Sequence, residues 1–264
     1  TQIVDWSGDM EDEDLIEKED MVVTVTSGGY IKRTPLIDFR AQKRGGKGVA
    51  GMQTKEEDVI TTLFVANTHT QLLFFTTDGM AYKLKTWRLP QGGRTSKGKA
   101  IVNILPIPVG VSIAAIMPVD RDEEEWGDLQ VVFATSAGTV RRNKLSDFTN
   151  VKSNGKIAMK FEDDHAETTM INARIASHDD DVMLITNSGR AIRFPATDVR
   201  VFNSRASVGV RGIRLNGDDT VVSMSIIRHF DATSEERTAY LKMRRAMAGI
   251  ADDADAEEDE APAD

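Results

Sequence analysis

The sequence predicts an all-β fold, a propeller or pinwheel of repeated four-stranded blades that ends in a short C-terminal helix and an acidic tail. Three observations predict it: a hairpin motif that recurs four times, a glycine-and-base segment plus a further β-type run after each hairpin, and a helical signal confined to one stretch near the C-terminus. At 264 residues the chain has the length of one large domain or two small ones, enough to bury a sizeable core. No apolar run approaches the roughly 18 residues of a membrane helix. Cysteine is absent, which excludes disulfides, thiolate metal sites and a Cys nucleophile and is compatible with a reducing compartment.

Residues 1–20 form an acidic lead-in, with nine acids against one base, Lys18. They lack the basic start and apolar core of a signal peptide, and a chain that opens on Thr1 is expected to be a piece of a longer one. The repeat domain occupies residues 21–230. Its hairpins are VVTVTSGGYIKR (22–33), LLFFTTDGMAYK (72–83), VVFATSAGTVRR (131–142) and VMLITNSGRAIR (182–193). Each joins a β-branched or aromatic run to a Thr-x-x-Gly turn and a second strand carrying a base. Gly29, Gly79, Gly138 and Gly189 supply the positive φ of a tight turn. They are separated by 50, 59 and 51 residues, and the longest gap holds the acidic insertion 120–128. The segments 44–48, 94–99, 152–156 and 205–214 follow the hairpins, and the runs 59–66, 112–119, 169–176 and 220–227 complete each unit. No helix-period segment separates the strands, which argues against a parallel α/β sheet.

Residues 231–250 hold the one helix, predicted over 234–249 with Ser234 as N-cap and Glu235 and Glu236 in the first turn, where the helix dipole favours acids. Its Tyr240, Leu241, Met243, Met247 and Ile250 make an apolar stripe, either packed on the last blade or open to another chain. Residues 251–264 are acid-rich with little apolar surface, a composition that predicts disorder.

The formal net charge of −9 conceals an uneven distribution. Residues 21–245 hold 32 bases and 25 acids, so a basic core lies between two acidic ends. Catalytic chemistry is not legible. His69, His165, His178 and His229 are scattered, and no phosphate loop, nucleophile elbow or dinucleotide fingerprint is present. The acid clusters at 122–125, 162–164 and 179–181 fall between strands and read as solvated loops rather than paired catalytic carboxylates. Neither a metal nor a catalytic site is expected.

The segment Arg40-Ala41-Gln42-Lys43-Arg44-Gly45-Gly46-Lys47-Gly48 stands out. Glycine permits close backbone approach to a phosphate, and interleaved bases supply attraction and charge-assisted hydrogen bonds. A single basic loop is as readily an exposed loop with no ligand; recurrence after the other hairpins weighs toward a track for a polyanion. Gln42, Lys43, Arg44, Gly45, Gly46, Lys47 and Gly48 resemble at all seven positions the box that marks the C-terminal domain of the DNA gyrase A protein, and SGGYIKRTPL (27–36) is similar to that family's first blade.

The resemblance spans residues 1 to about 230 and implies a β-pinwheel, a disc whose hairpins are exchanged between neighbouring blades, usually six in number against the four units counted here. It implies double-stranded DNA wrapped on the rim, in support of ATP-dependent negative supercoiling. Implied partners are the N-terminal breakage-reunion part of the same polypeptide and the gyrase B protein in an A2B2 complex. The setting is the bacterial cytoplasm beside the nucleoid, with no membrane. ATP, Mg and the cleavage chemistry belong elsewhere in that enzyme, so no cofactor is expected on this piece. Lys43, Arg44 and Lys47 would anchor the duplex. Arg33, Lys83, Lys85, Arg94, Lys97, Lys99, Arg141, Arg142, Lys144, Arg193, Arg205, Arg211 and Arg214 are candidates for its continued path. The alternatives are a topoisomerase IV type domain that binds DNA without wrapping it, a protein-interaction propeller, and a propeller enzyme with a central pair of acids.

Overall fold

The structure, a computed structural model, describes residues 12–39, 58–161, 167–203 and 207–247. The chain divides into one unit over Thr1–Ile227 and another over Arg228–Asp264. The box residues Gln42–Gly48, Arg205 and the acidic tail lie outside the described residues.

The first unit is built of four antiparallel sheets, one for each repeat. Strands β1 (Asp20–Thr26) and β2 (Tyr30–Pro35) form the first hairpin, and β3 (Ile60–Asn67) pairs with β1. The second hairpin is β4 (Gln71–Thr76) with β5 (Met80–Lys85). The chain then returns to the first blade, where β6 (Lys99–Ala100) pairs with β2, before β7 (Ile113–Val119) joins β4. The pattern repeats. Hairpin β8 (Gln130–Thr135) and β9 (Thr139–Lys144) is followed by β10 (Lys156–Ile157), which goes back to β5, and by β11 (Met170–Ala176) on β8. Hairpin β12 (Asp180–Thr186) and β13 (Ala191–Pro195) is followed by β14 (Val210–Arg211), which goes back to β9, and by β15 (Val221–Arg228) beside β12. Each of the first three blades thus takes its fourth strand from chain that has already built the next hairpin, an exchange between neighbours as the pinwheel resemblance implies. Among the described residues the fourth sheet has three strands, and β13 is its edge.

Alternation explains why the blades stack. In β4, Leu72 and Phe74 enter one core with Val23, Val25 and Ile31 of the first blade, whereas Leu73 and Phe75 enter another with Val131 and Phe133 of the third. In β8 the same period of two sends Val131 and Phe133 back toward the second blade and Val132 and Ala134 forward to Val182 and Leu184. Phe75, Phe133 and Phe148 meet edge to face, with centroids 5.2 to 5.8 Å apart. The insertion 120–128 is more than the solvated loop its acids predict: its 3₁₀ turn Glu123–Asp128 buries Trp126, whose Nε1 donates to Arg121 O at 3.0 Å.

The predicted turn glycines adopt the required conformation, with φ of 76° to 84° at Gly29, Gly79, Gly138 and Gly189. A second set, Gly98, Gly155 and Gly209 (φ 78°, 84° and 105°), precedes the exchanged strands. A Cβ on Gly98 would lie 2.5 Å from Ile31 O and one on Gly209 2.4 Å from Val140 O, so these glycines serve the close approach of neighbouring chain. The fourth hairpin turn is clasped by Asp219, which accepts from Ser188 Oγ at 2.6 Å and from Ser188 N and Thr220 N, both at 3.0 Å. The Ser188 hydroxyl, with the other donors, holds the Asp219 carboxyl below its ordinary range against the opposing effect of desolvation.

In the second unit one helix, α1 (Ser234–Met247), is capped by Thr233 rather than Ser234. Glu236 N donates to Thr233 Oγ1 at 3.2 Å and Thr233 N donates to Glu236 Oε2 at 2.9 Å, a reciprocal capping box. None of the helix's residues is buried.

Two outcomes follow. Phe133→Ala should destabilise the repeat unit by about 3–5 kcal/mol through cavity formation, measured by denaturant unfolding. Because its folded carboxyl titrates below its unfolded value, Asp219 contributes stability above the unfolded value that is lost as pH falls through the folded one. The Ser188 amide resonance should therefore titrate with a midpoint below 3.8, and Asp219→Asn should abolish that titration. A midpoint at or above 3.8 would exclude the clasp.

Candidate nucleic-acid interface

The bases predicted to follow a polyanion separate into those the fold consumes and those it displays. Exchange of strands brings chain from the next blade over β2, β5 and β9, the strands that carry the repeated base. Carbonyls on that chain need donors, and the nearest cations provide them.

Four candidates share one position in the repeat, four residues after the turn glycine: Arg33, Lys83, Arg142 and Arg193. Arg33 Nε donates to Leu89 O at 2.9 Å, and burial pushes its pKa down against the opposing charge of Glu19. Lys83 Nζ donates to Thr149 O, pairs with Glu123 at 2.6 Å and lies 6.0 Å from the Trp126 ring. Arg142 is 7% exposed, with its pKa lowered by desolvation, and meets the crossing chain through its main chain, its carbonyl accepting from Phe202 N at 2.7 Å. In the fourth blade, Arg193 pairs with the buried Asp181 at 2.6 Å while its own side chain stays exposed.

Arg141 corrects the sequence-based path most clearly. It is fully buried, its Nε donating to Asn143 Oδ1 at 2.7 Å and its Nη1 to Ser207 O at 2.6 Å, so its head lies inside the blade rather than on a surface that meets solvent. Lys85 is drawn to the acidic lead-in, pairing with Glu13 at 2.9 Å and donating to His69 O at 3.1 Å. Arg94 is half-buried.

Lys99 on β6, Lys144 at the end of β9, Arg211 on β14 and Arg214 beyond it are exposed, and Lys97 lies over the Tyr30 ring at 4.1 Å. Lys99 and Arg211 occupy the outermost strands of the first and third sheets. Lys152, which the predicted path omits, is exposed in the corresponding segment before β10. Lys156 on β10 turns back to Asp147 O and Asn150 O. The arrangement therefore presents Lys99 and Arg211 on sheet edges held by backbone pairing and leaves Lys144 and Arg214 exposed outside those edge strands.

Among the described residues no group of three or more His, Asp and Glu side chains is placed to hold a metal ion, and no helix is long and apolar enough to cross a membrane.

Comparison with known proteins places these features in a family. The family model described as DNA gyrase C-terminal domain, a β-propeller, matches residues 20–67, 70–120, 130–169 and 180–228, one segment for each blade and more than half of the chain. The DNA gyrase A protein of Granulibacter bethesdensis is 47% identical over 263 residues, which cover 97% of this chain and 28% of that protein. The chain spans about a quarter of the length of the curated relatives it matches. A solved C-terminal domain of DNA topoisomerase IV overlays with a TM-score of 0.66 at 25% identity, covering 80% of this chain and 62% of that one. A solved DNA gyrase A C-terminal domain gives 0.60 at 25% identity, covering 78% and 64%.

Displayed and consumed bases should respond differently to substitution. Changing Lys99, Lys144, Arg211 or Arg214 singly to Gln should shift the unfolding free energy by no more than about 0.5 kcal/mol. Arg141→Gln should cost about 1–3 kcal/mol by leaving buried acceptors without their donor. Urea unfolding of the five variants checks both.

Proposed function

The chain belongs to the DNA gyrase C-terminal domain family of β-propellers, and on that premise we propose that it binds duplex DNA without reading its sequence and wraps it along the basic edges of successive blades. The observation that carries this reading is the return of a glycine-and-base segment to the outer sheet edge, with Lys99 displayed on the first blade and Arg211 and Arg214 on the third. Each base set against a phosphate releases condensed counterions, which supplies affinity without sequence information. Curving about 20–30 base pairs by 40–90° costs on the order of 1–6 kcal/mol, so a wrap needs contacts spread over several blades. The first unit offers no recognition helix for a major groove among its described residues, which accords with binding to backbone alone.

In this reading the box Gln42–Gly48 anchors the duplex. Lys97 and the exposed Lys99, Lys144, Arg211 and Arg214 continue its path, while Arg33, Lys83, Lys85, Arg142 and Arg193 act chiefly as ties within the fold. The domain serves negative supercoiling by an ATP-dependent type II topoisomerase. It is joined there to the breakage-reunion part of its own polypeptide and to the gyrase B protein in an A2B2 assembly, and those parts hold the ATP, Mg and cleavage chemistry. A second reading, DNA binding without wrapping, is favoured by the higher TM-score to the topoisomerase IV domain, 0.66 against 0.60.

The test is a duplex of about 40 base pairs labelled at both ends and titrated with salt. Wrapping predicts affinity that falls with a log–log slope near −0.9 for each phosphate contacted, together with energy transfer as the ends approach. Replacing Gln42–Gly48 by alanines should remove the energy transfer and spare much of the loose binding. Steep binding with no end approach in the unaltered chain would select the second reading, and no binding at low salt would overturn both.

A further inference from the structure

Three residues after each hairpin glycine stand Lys32, Tyr82, Arg141 and Ile192. Tyr82, itself buried, shows that an uncharged side chain fits this position, yet in the first and third blades it holds a cation that is fully buried. Burying an ammonium or guanidinium is costly unless its donors are engaged. Lys32 forms no ion pair among the described residues; its Nζ donates to Gly93 O at 2.9 Å and Arg94 O at 2.6 Å. Thr34 Oγ1 adds a bond to Gly92 O at 2.9 Å. Arg141 donates to Ser207 O at 2.6 Å, and its neighbour Asn143, which it also contacts, donates to Phe202 O at 2.8 Å.

These acceptors lie in the chain that leads into β6 and β14. Both segments then pass over the cation through Gly98 and Gly209, where a Cβ would lie 3.1 Å from the Cβ of Lys32 and of Arg141 respectively. Lys32 thus lies beneath the segment that carries Arg94, Lys97 and Lys99, and Arg141 beneath the one that carries Arg211 and Arg214.

We propose that Lys32 and Arg141 are positioning residues for DNA binding: by clamping carbonyls from inside the blade, they fix where the bases of the overlying edge segment meet successive phosphates. The proposal rests on the DNA-binding reading above. A cation suits the task because the Lys32 head group reaches two carbonyls at once, and charge-assisted bonds are shorter and stronger than those of a neutral donor.

Salt titrations of duplex binding by the unaltered chain, Lys32→Met, Lys32→Arg and Thr34→Val test it, with unfolding followed in parallel so that affinities refer to folded protein. Lys32→Met should lower the magnitude of the log–log slope by roughly 2, at about 0.9 per phosphate, as Lys97 and Lys99 lose their alignment. Thr34→Val, which removes one bond to the same segment, should lower it by about one such contact. Lys32→Arg, which puts at position 32 the cation found at 141, should restore it. A folded Lys32→Met with the slope of the unaltered chain overturns the positioning role and leaves DNA binding standing. If Lys32→Met does not fold, an unchanged slope in Thr34→Val overturns it. A flat salt response in the unaltered chain overturns the DNA-binding reading and the proposal together.

Discussion

The first strand of each inner hairpin is buried on both faces, and the rest of the structure depends on that constraint. Leu72 and Phe74 need the first blade to cover them, while Leu73 and Phe75 need the third. A strand of this kind is unsatisfied in an isolated sheet, so the repeat is stable only as a stack. Exchange of the short strands β6, β10 and β14 adds backbone pairing to the same junctions. Apolar packing and hydrogen bonding therefore join the same pairs of blades.

The constraint also governs the charges. A base on the second hairpin strand stands where the next blade's chain crosses, and that chain brings carbonyls with it. Arg33 and Lys83 answer those carbonyls directly, and Arg141 does so from complete burial. On the exchanged strands β6 and β14, Lys99 and Arg211 remain open, whereas Lys156 on β10 turns back to the carbonyls of Asp147 and Asn150. Where the crossing chain runs, rather than residue type, decides which cations are drawn into the fold and which stay exposed. The same geometry gives the glycines of the basic segments a structural duty, since Gly98 and Gly209 approach neighbouring backbone more closely than any side chain would allow.

Much of this is legible in the sequence. The Thr-x-x-Gly turns fix the hairpins because positive φ admits few residues, and the long runs 59–66, 112–119, 169–176 and 220–227 overlap β3, β7, β11 and β15. The exchanged strands are not legible as such, because two residues carry no period. Exposure of the bases is hidden for a related reason: Arg141, Arg142 and Lys144 follow one another on β9, yet the first two are buried and the third is exposed, and the chain arriving from the next blade makes the difference. The acids of the insertion mask Trp126, whose burial is long-range. Thr233 outcompetes Ser234 as a cap because Glu236 stands three residues beyond it, a spacing that the sequence does display.

The exchange has a direction, and direction has a consequence for synthesis. The sheet that opens with Asp20 is not closed until Lys99–Ala100 has been made, and the next sheet waits for Lys156–Ile157. On a ribosome, each blade emerges with an unprotected flank that its successor must cover. Each of the first three hairpins therefore stands as a sticky end until the following one has been made and the chain has turned back.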